Sequence, residues 1–80
     1  MRNTMRVQRA IKEISQEQLA AALNVTRQTI NAIELRKFNP SVLLCLKMAK
    51  YFGKSIDEIF ILEEEDIELI NFNIKTERIV

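Results

Sequence analysis

The amino-acid sequence predicts an all-α fold, five short helices within residues 3–61 followed by a short C-terminal tail. Three observations carry this. One glycine (Gly53) and one proline (Pro40) in 80 residues leave too few turn formers for most all-β architectures, and no glycine-rich phosphate loop. Helix-capping side chains recur at short intervals, and between them apolar residues return every three or four positions, as on a helix with one buried face. A chain 48% hydrophobic and 29% charged is too apolar to stay disordered and suits one small soluble domain.

Each element has its own signals. Asn3 or Thr4 caps a first helix extending to about Ile14. Ser15 and Gln18 form a capping box for the second, in which Leu19, Ala20 and Leu23 make an apolar stripe. Asn24, tolerant of the left-handed conformation of a tight turn, ends it. Thr26 caps the third helix, with Ile30 and Ile33 on its inner face. Pro40 and Ser41 open a fourth, with Val42, Cys45, Met48, Ala49 and Phe52 as the core face and Gly53 as terminator. Ser55 caps a fifth, containing Ile56, Ile59 and Phe60. Cys45 reads as a small core residue, because a redox thiol needs exposure and electropositive surroundings.

Charge divides the chain in two. Residues 1–62 carry ten Lys/Arg against five Asp/Glu, a net of +5, and residues 63–80 carry two against six, a net of −4. A basic body suits a polyanionic partner. The acidic run 63–66 reads as a solvated face, or as charge that keeps the tail off a polyanion or docks a basic partner. From Ile70 to Lys75 apolar and polar residues alternate as in a strand, although Ile67, Ile70 and Ile74 also fit a helical stripe. Ile67, Leu69, Ile70, Phe72 and Ile74 are too many apolar groups to leave in water, and form a candidate dimer contact. Packing onto their own domain is the alternative.

Several classes of function are excluded at this stage. No window is long and apolar enough to span a membrane, and residues 1–4 lack the apolar core of a secretory signal. A single cysteine forms no internal disulfide, and with no histidine there is no ordinary zinc site; a cytoplasmic location is the expectation. No serine or cysteine has a general-base partner at a readable spacing, so the chain is not expected to be an enzyme. No cofactor and no small-molecule ligand are assigned.

The segment from Gln16 to Glu34 carries the functional signal. Two short helices that cross steeply need a small residue at their contact, which Ala20 supplies, and a hydrophobe to plug the turn, which Val25 supplies. With Ile30 and Ile33 turned inward, the second helix presents Arg27, Gln28, Asn31 and Ala32 outward. Such a face matches DNA base edges. Arginine offers a paired donor to guanine, and Gln or Asn a donor and acceptor to adenine, each worth ~1–3 kcal/mol of discrimination. Gln16 and Thr26 stand at helix starts, where backbone N–H groups bind phosphate, and Arg36 and Lys37 add positive charge beyond the outward-facing helix. A purely structural helical hairpin is the competing reading.

These residues resemble a known family. Ser15–Ala20, Val25–Ile30, Ile33–Glu34, Asn39–Ser41 and Ser55–Phe60 together are similar to the phage-repressor (Cro and lambda repressor-like, or XRE) helix-turn-helix family, above all its short bacterial members. The likeness covers about residues 3–65. It implies a five-helix lambda-repressor-like DNA-binding domain with residues 27–35 as the recognition helix in the major groove. It further implies base contacts from Arg27, Gln28 and Asn31, with Thr29 at the groove edge, and phosphate contacts from Gln16, Thr26, Lys37 and Asn39. Arg9 and Glu34 fall where some members join the first and third helices by an ion pair. Gln8 stands in place of the usual leucine. Asn24 and Arg36 replace the usual glycines, and a phosphate contact is a use for Arg36. The expected function is a transcriptional regulator, a repressor that binds a palindrome of double-stranded DNA as a homodimer. The alternative is an antitoxin-like module whose tail grips a partner protein.

Overall fold

The computed structural model describes residues 1–68. Five helices follow in order, α1 (Met5–Lys12), α2 (Gln16–Leu23), α3 (Arg27–Glu34), α4 (Val42–Phe52) and α5 (Ile56–Ile59), with a further helical stretch over 64–68. The all-α expectation holds, with one addition. Strand β1 (Arg2–Asn3) pairs antiparallel with β2 (Phe60–Ile61), Arg2 opposite Ile61 and Asn3 opposite Phe60.

The caps form as the local sequence dictates. The Ser15 hydroxyl accepts from the Gln18 N–H at 3.0 Å, and the Gln18 side chain accepts from the Ser15 N–H at 2.8 Å. Thr26 and Ser41 cap α3 and α4 by accepting from Thr29 N–H at 3.2 Å and Leu44 N–H at 3.1 Å. Each such cap is worth about 1 kcal/mol. The first four helices also end alike. Glu13, Asn24, Arg36 and Gly53 adopt φ between 57° and 65°, and the residue after each donates its N–H to a carbonyl five positions back. This is a Schellman closure, which satisfies carbonyls that a helix end leaves without partners. Only one of the four is glycine; Asn24 tolerates the conformation, and Glu13 and Arg36 bear a left-handed cost of roughly 1–2 kcal/mol each.

The core brings every helix together. Met5, Leu19, Ile30, Ile33, Met48 and Ile59 are fully buried, joined by Ala20, Leu23, Leu44, Phe52 and Phe60, with Val25 and Cys45 packed against the edge. Burial pushes the Cys45 thiol pKa up, in keeping with a packing role. Ala20 is buried in the core that α2 and α3 share.

Four details differ from the sequence reading. First, α1 stops at Lys12, with Glu13 supplying the left-handed turn. Second, neither Asn3 nor Thr4 caps it in the expected way. The Thr4 hydroxyl donates to the Glu58 carbonyl at 2.6 Å and Asn3 Nδ2 donates to the Ile33 carbonyl at 2.9 Å, which tie the chain start to α5 and α3. Third, Phe60 leaves α5 to pair with β1. Fourth, Val42 is 76% exposed and Leu44 takes its place in the core. Gln8 is buried while its neighbour Val7 is exposed, and the Gln8 amide donates to Thr4 Oγ1 at 3.3 Å. Among the described residues no buried side-chain polar atom lacks a partner.

A charged clasp closes over the paired strands. The Met1 ammonium lies 2.9 Å from Glu63 Oε1 and 3.1 Å from Asp66 Oδ2, and Glu63 Oε1 also accepts from the Arg36 guanidinium. Asp66 further accepts from the Glu63 N–H at 2.8 Å. The ion pairs hold the Glu63 and Asp66 carboxyls below their ordinary values of 4.5 and 3.8, and the Met1 amine above 8.0. The hydrogen bond to the Met1 ammonium is the main cause for Glu63, the Glu63 N–H for Asp66, and the Glu63 carboxylate for Met1. The clasp is therefore complete between pH 4.5 and 8.0. It weakens in acid as the lowered carboxyl pKa values are crossed, and in alkali as the raised amine pKa is crossed. Amide chemical shifts of Arg2 and Ile61 are expected to stay flat through that window and to move on either side. Shifts that stay flat in acid until the domain itself unfolds would remove the clasp.

Candidate nucleic-acid interface

The interface is built on α3. Ile30 and Ile33 anchor one face of the helix, so the other is held outward by the same burial that fixes the fold. Arg27, Gln28 and Asn31 line one shallow recess of about 160 Å³ on that outward face. All three are exposed. Thr29 is half-buried, and its hydroxyl shares a 2.9 Å hydrogen bond with that of Thr26, at the N-terminal end of the helix. A larger open recess of about 340 Å³, lined by Ala22, Leu23, Asn24, Lys47, Lys50 and Tyr51, shares no residue with this face.

Beneath the recess lies a polar network. Arg9 grips Glu34 through two bonds, Nε to Oε2 at 2.6 Å and Nη2 to Oε1 at 2.9 Å, and its Nη1 donates to the Ile14 carbonyl at 3.1 Å. The Glu34 side chain is only 4% exposed and that of Arg9 15%, so the pair is buried. Its hydrogen bond to Glu34 raises the Arg9 pKa further, against the opposing effect of burial. Gln16 extends the network outward, donating from Nε2 to Glu34 Oε1 at 3.2 Å and to Asn31 Oδ1 at 3.1 Å. The carboxylate fixes the direction. Glu34 only accepts, so the amide nitrogen of Gln16 must face it, and the atom of Asn31 facing that nitrogen must be its oxygen. Both amide hydrogens of Gln16 are thus used inside the protein. These two bonds set the orientation of the Gln16 amide at the start of α2.

The remaining positions lie around this face or beyond the description. Lys37 and Asn39 are exposed in the segment between α3 and α4. Arg36 is directed to Glu63. Ile67 is 46% exposed, whereas Leu69, Ile70, Phe72 and Ile74 lie outside the described residues. Two participants were not foreseen, Asn3 as a tie to the C-terminal end of α3 and Glu63 as the partner of Arg36. The tie joins residues 30 positions apart and the pairing residues 27 apart, with no local pattern to announce either.

Two short helices joined by a three-residue turn, with the second presenting an exposed row of Arg, Gln and Asn, define a helix-turn-helix DNA-binding domain. The chain belongs to the XRE-type helix-turn-helix family, whose model, described as helix-turn-helix, matches residues 5–59. Among its relatives is an HTH-type transcriptional regulator of Methanocaldococcus jannaschii, 47% identical over 66 residues, which are 82% of this chain and all of the relative. The HTH-type transcriptional regulator YgzD of Bacillus subtilis is 44% identical over 66 residues, again 82% of this chain and all of that protein. A third, from Archaeoglobus fulgidus, is 40% identical over 67 residues, or 84% of this chain and 94% of the relative. The family supports a DNA-binding transcriptional regulator. No helix among the described residues is long and apolar enough to cross a membrane.

Proposed function

We propose that this regulator is a homodimeric repressor that inserts α3 into the major groove at each half of a palindromic operator and occludes the promoter. The observation that carries the reading is the single recess formed by Arg27, Gln28 and Asn31 on the solvent face of α3. These are base-edge readers by chemistry, and a helix of eight residues reaches only a few base pairs. Gln16, Thr26, Lys37, Asn39 and the backbone at the start of α2 flank it as phosphate contacts, and Thr29 lies at the groove edge.

Two copies are needed because one helix reads too little sequence. Leu35, Phe38, Val42, Leu43 and Leu46 are each more than half exposed along the end of α3 and the outer side of α4. That is more apolar surface than a small monomer comfortably shows. Together with the apolar residues at positions 67–74 they supply material for a two-fold contact. The antitoxin-like alternative draws on the same surfaces and is separated from the dimer by sedimentation of the purified protein alone.

Selection of bound duplexes from a random library at about 150 mM salt tests the function, since specific recognition must survive counterion competition. A recovered palindrome with half-sites ~34 Å apart is expected. Folded protein that enriches no sequence would overturn the reading. Lys37→Ala is expected to weaken binding to every duplex about equally and to reduce the slope of log affinity against log salt by roughly one. Loss confined to the selected operator would move Lys37 from phosphate to base contact.

A further inference from the structure

We infer that Glu63, outside the family-matched residues, restrains DNA binding, holding the Arg36 guanidinium in an ion pair that backbone phosphate must displace. The inference rests on the DNA-binding reading and extends it to the start of the acidic tail.

The geometry supports an exchange. Arg36 follows the C-terminal end of α3 and is fixed there by its left-handed backbone, φ 64°, and by the Schellman closure of the helix. Its position is therefore tied to the recognition helix. Its side chain is 50% exposed and reaches Glu63 Oε1. Glu63 is in turn held in place, because the same oxygen takes the Met1 ammonium at 2.9 Å and the Glu63 N–H is bound by Asp66 at 2.8 Å. A fixed carboxylate thus occupies the guanidinium of a residue set just past the C-terminal end of α3.

Ion pairs of half-exposed groups are weak, so phosphate can compete. In the free protein Glu63 neutralises Arg36; on DNA the phosphate does so, and Glu63 recovers a solvent cation. One counterion leaves the DNA as another joins the protein, so Arg36 adds almost nothing to the salt dependence of the native chain. With Glu63 neutral that uptake disappears, and Arg36 contributes the full effect of one phosphate contact.

The test measures binding of the full chain to one duplex at several salt concentrations, for native protein, Glu63→Gln, Arg36→Gln and the double variant. Glu63→Gln is expected to bind several-fold more tightly and to steepen the salt slope by about 0.9. Arg36→Gln is expected to bind more weakly, and adding Glu63→Gln to it should change nothing further. If Glu63→Gln strengthens binding equally in both backgrounds, the effect is general charge and the inference fails. Unchanged affinity and slope in Glu63→Gln would also overturn it, making the pair a structural clasp alone. Glu65→Gln, which removes an exposed neighbouring charge of the same sign, controls for general repulsion and should have little effect; a gain matching that of Glu63→Gln counts against the inference. Thermal melts identify a variant that fails to fold, and Glu63→Asp, too short to keep the same reach, is then the substitute. Native protein that binds no duplex would instead refute the DNA-binding reading.

Discussion

Arg9→Ala is expected to cost the protein ~3–5 kcal/mol, the usual penalty for leaving one half of a buried ion pair without its partner. For a domain of this size that corresponds to a fall in melting temperature of roughly 15–30 °C. The size follows from where the charge is left. Glu34 is 4% exposed, and without Arg9 only the neutral amide of Gln16 donates to its side chain. The Ile14 carbonyl loses a donor at the same time. Removing both charges should cost less than the sum of the single losses, because no carboxylate is then stranded; a double-mutant cycle over Arg9 and Glu34 measures that difference. A melting temperature for Arg9→Ala within a few degrees of the native protein would show that the pair carries no such weight.

The second large effect concerns recognition and should leave stability alone. Replacing Arg27 and Gln28 together by alanine removes two proposed readers worth ~1–3 kcal/mol each, so affinity for the selected operator should fall by roughly 30-fold to 20,000-fold. Both residues are exposed on α3 and belong to no core contact, so the melting temperature should change little. Affinity for an unrelated duplex should fall only by the share of one positive charge. The comparison that decides is the ratio of the two affinities in the variant. A ratio as high as in the native protein would mean that sequence is read elsewhere.

Much of this site was legible because its determinants are local. Ser15, Thr26 and Ser41 cap by bonds to residues three positions away, and Ile30 and Ile33 orient α3 by their spacing alone. Arg36 in a left-handed turn was legible too, from its place after the third helix. What escaped was non-local or degenerate. Two strands of two residues show no alternation, and Phe60 sits four positions after Ile56, a spacing that reads as helix. Val42 to Leu46 are apolar without a break, so periodicity could not choose Leu44 over Val42 for the core. The bond from Gln16 to Asn31 spans 15 residues, and it ties the start of α2 to the outward face of α3. Polar networks of that kind depend on which helices meet, which no window of sequence contains.

The pairing of Arg2–Asn3 with Phe60–Ile61 has a consequence for how the molecule is made. Arg2 and Asn3 are made well before Phe60 and Ile61, so the two strands cannot pair until most of the described chain has been synthesised. Met5, fully buried, is set in place by a segment that ends against α5. At about 5–20 residues per second, synthesis from Glu34 to Ile61 takes roughly 1–5 s, during which the start of α1 is unsecured. Folding is then completed late, as one event, after a loop of nearly the whole described chain has closed. The DNA-reading face depends on the same closure, because Asn3 binds the carbonyl of Ile33 at the end of α3. A chain that stops before Ile61 is therefore expected to lack the tie that secures the C-terminal end of α3.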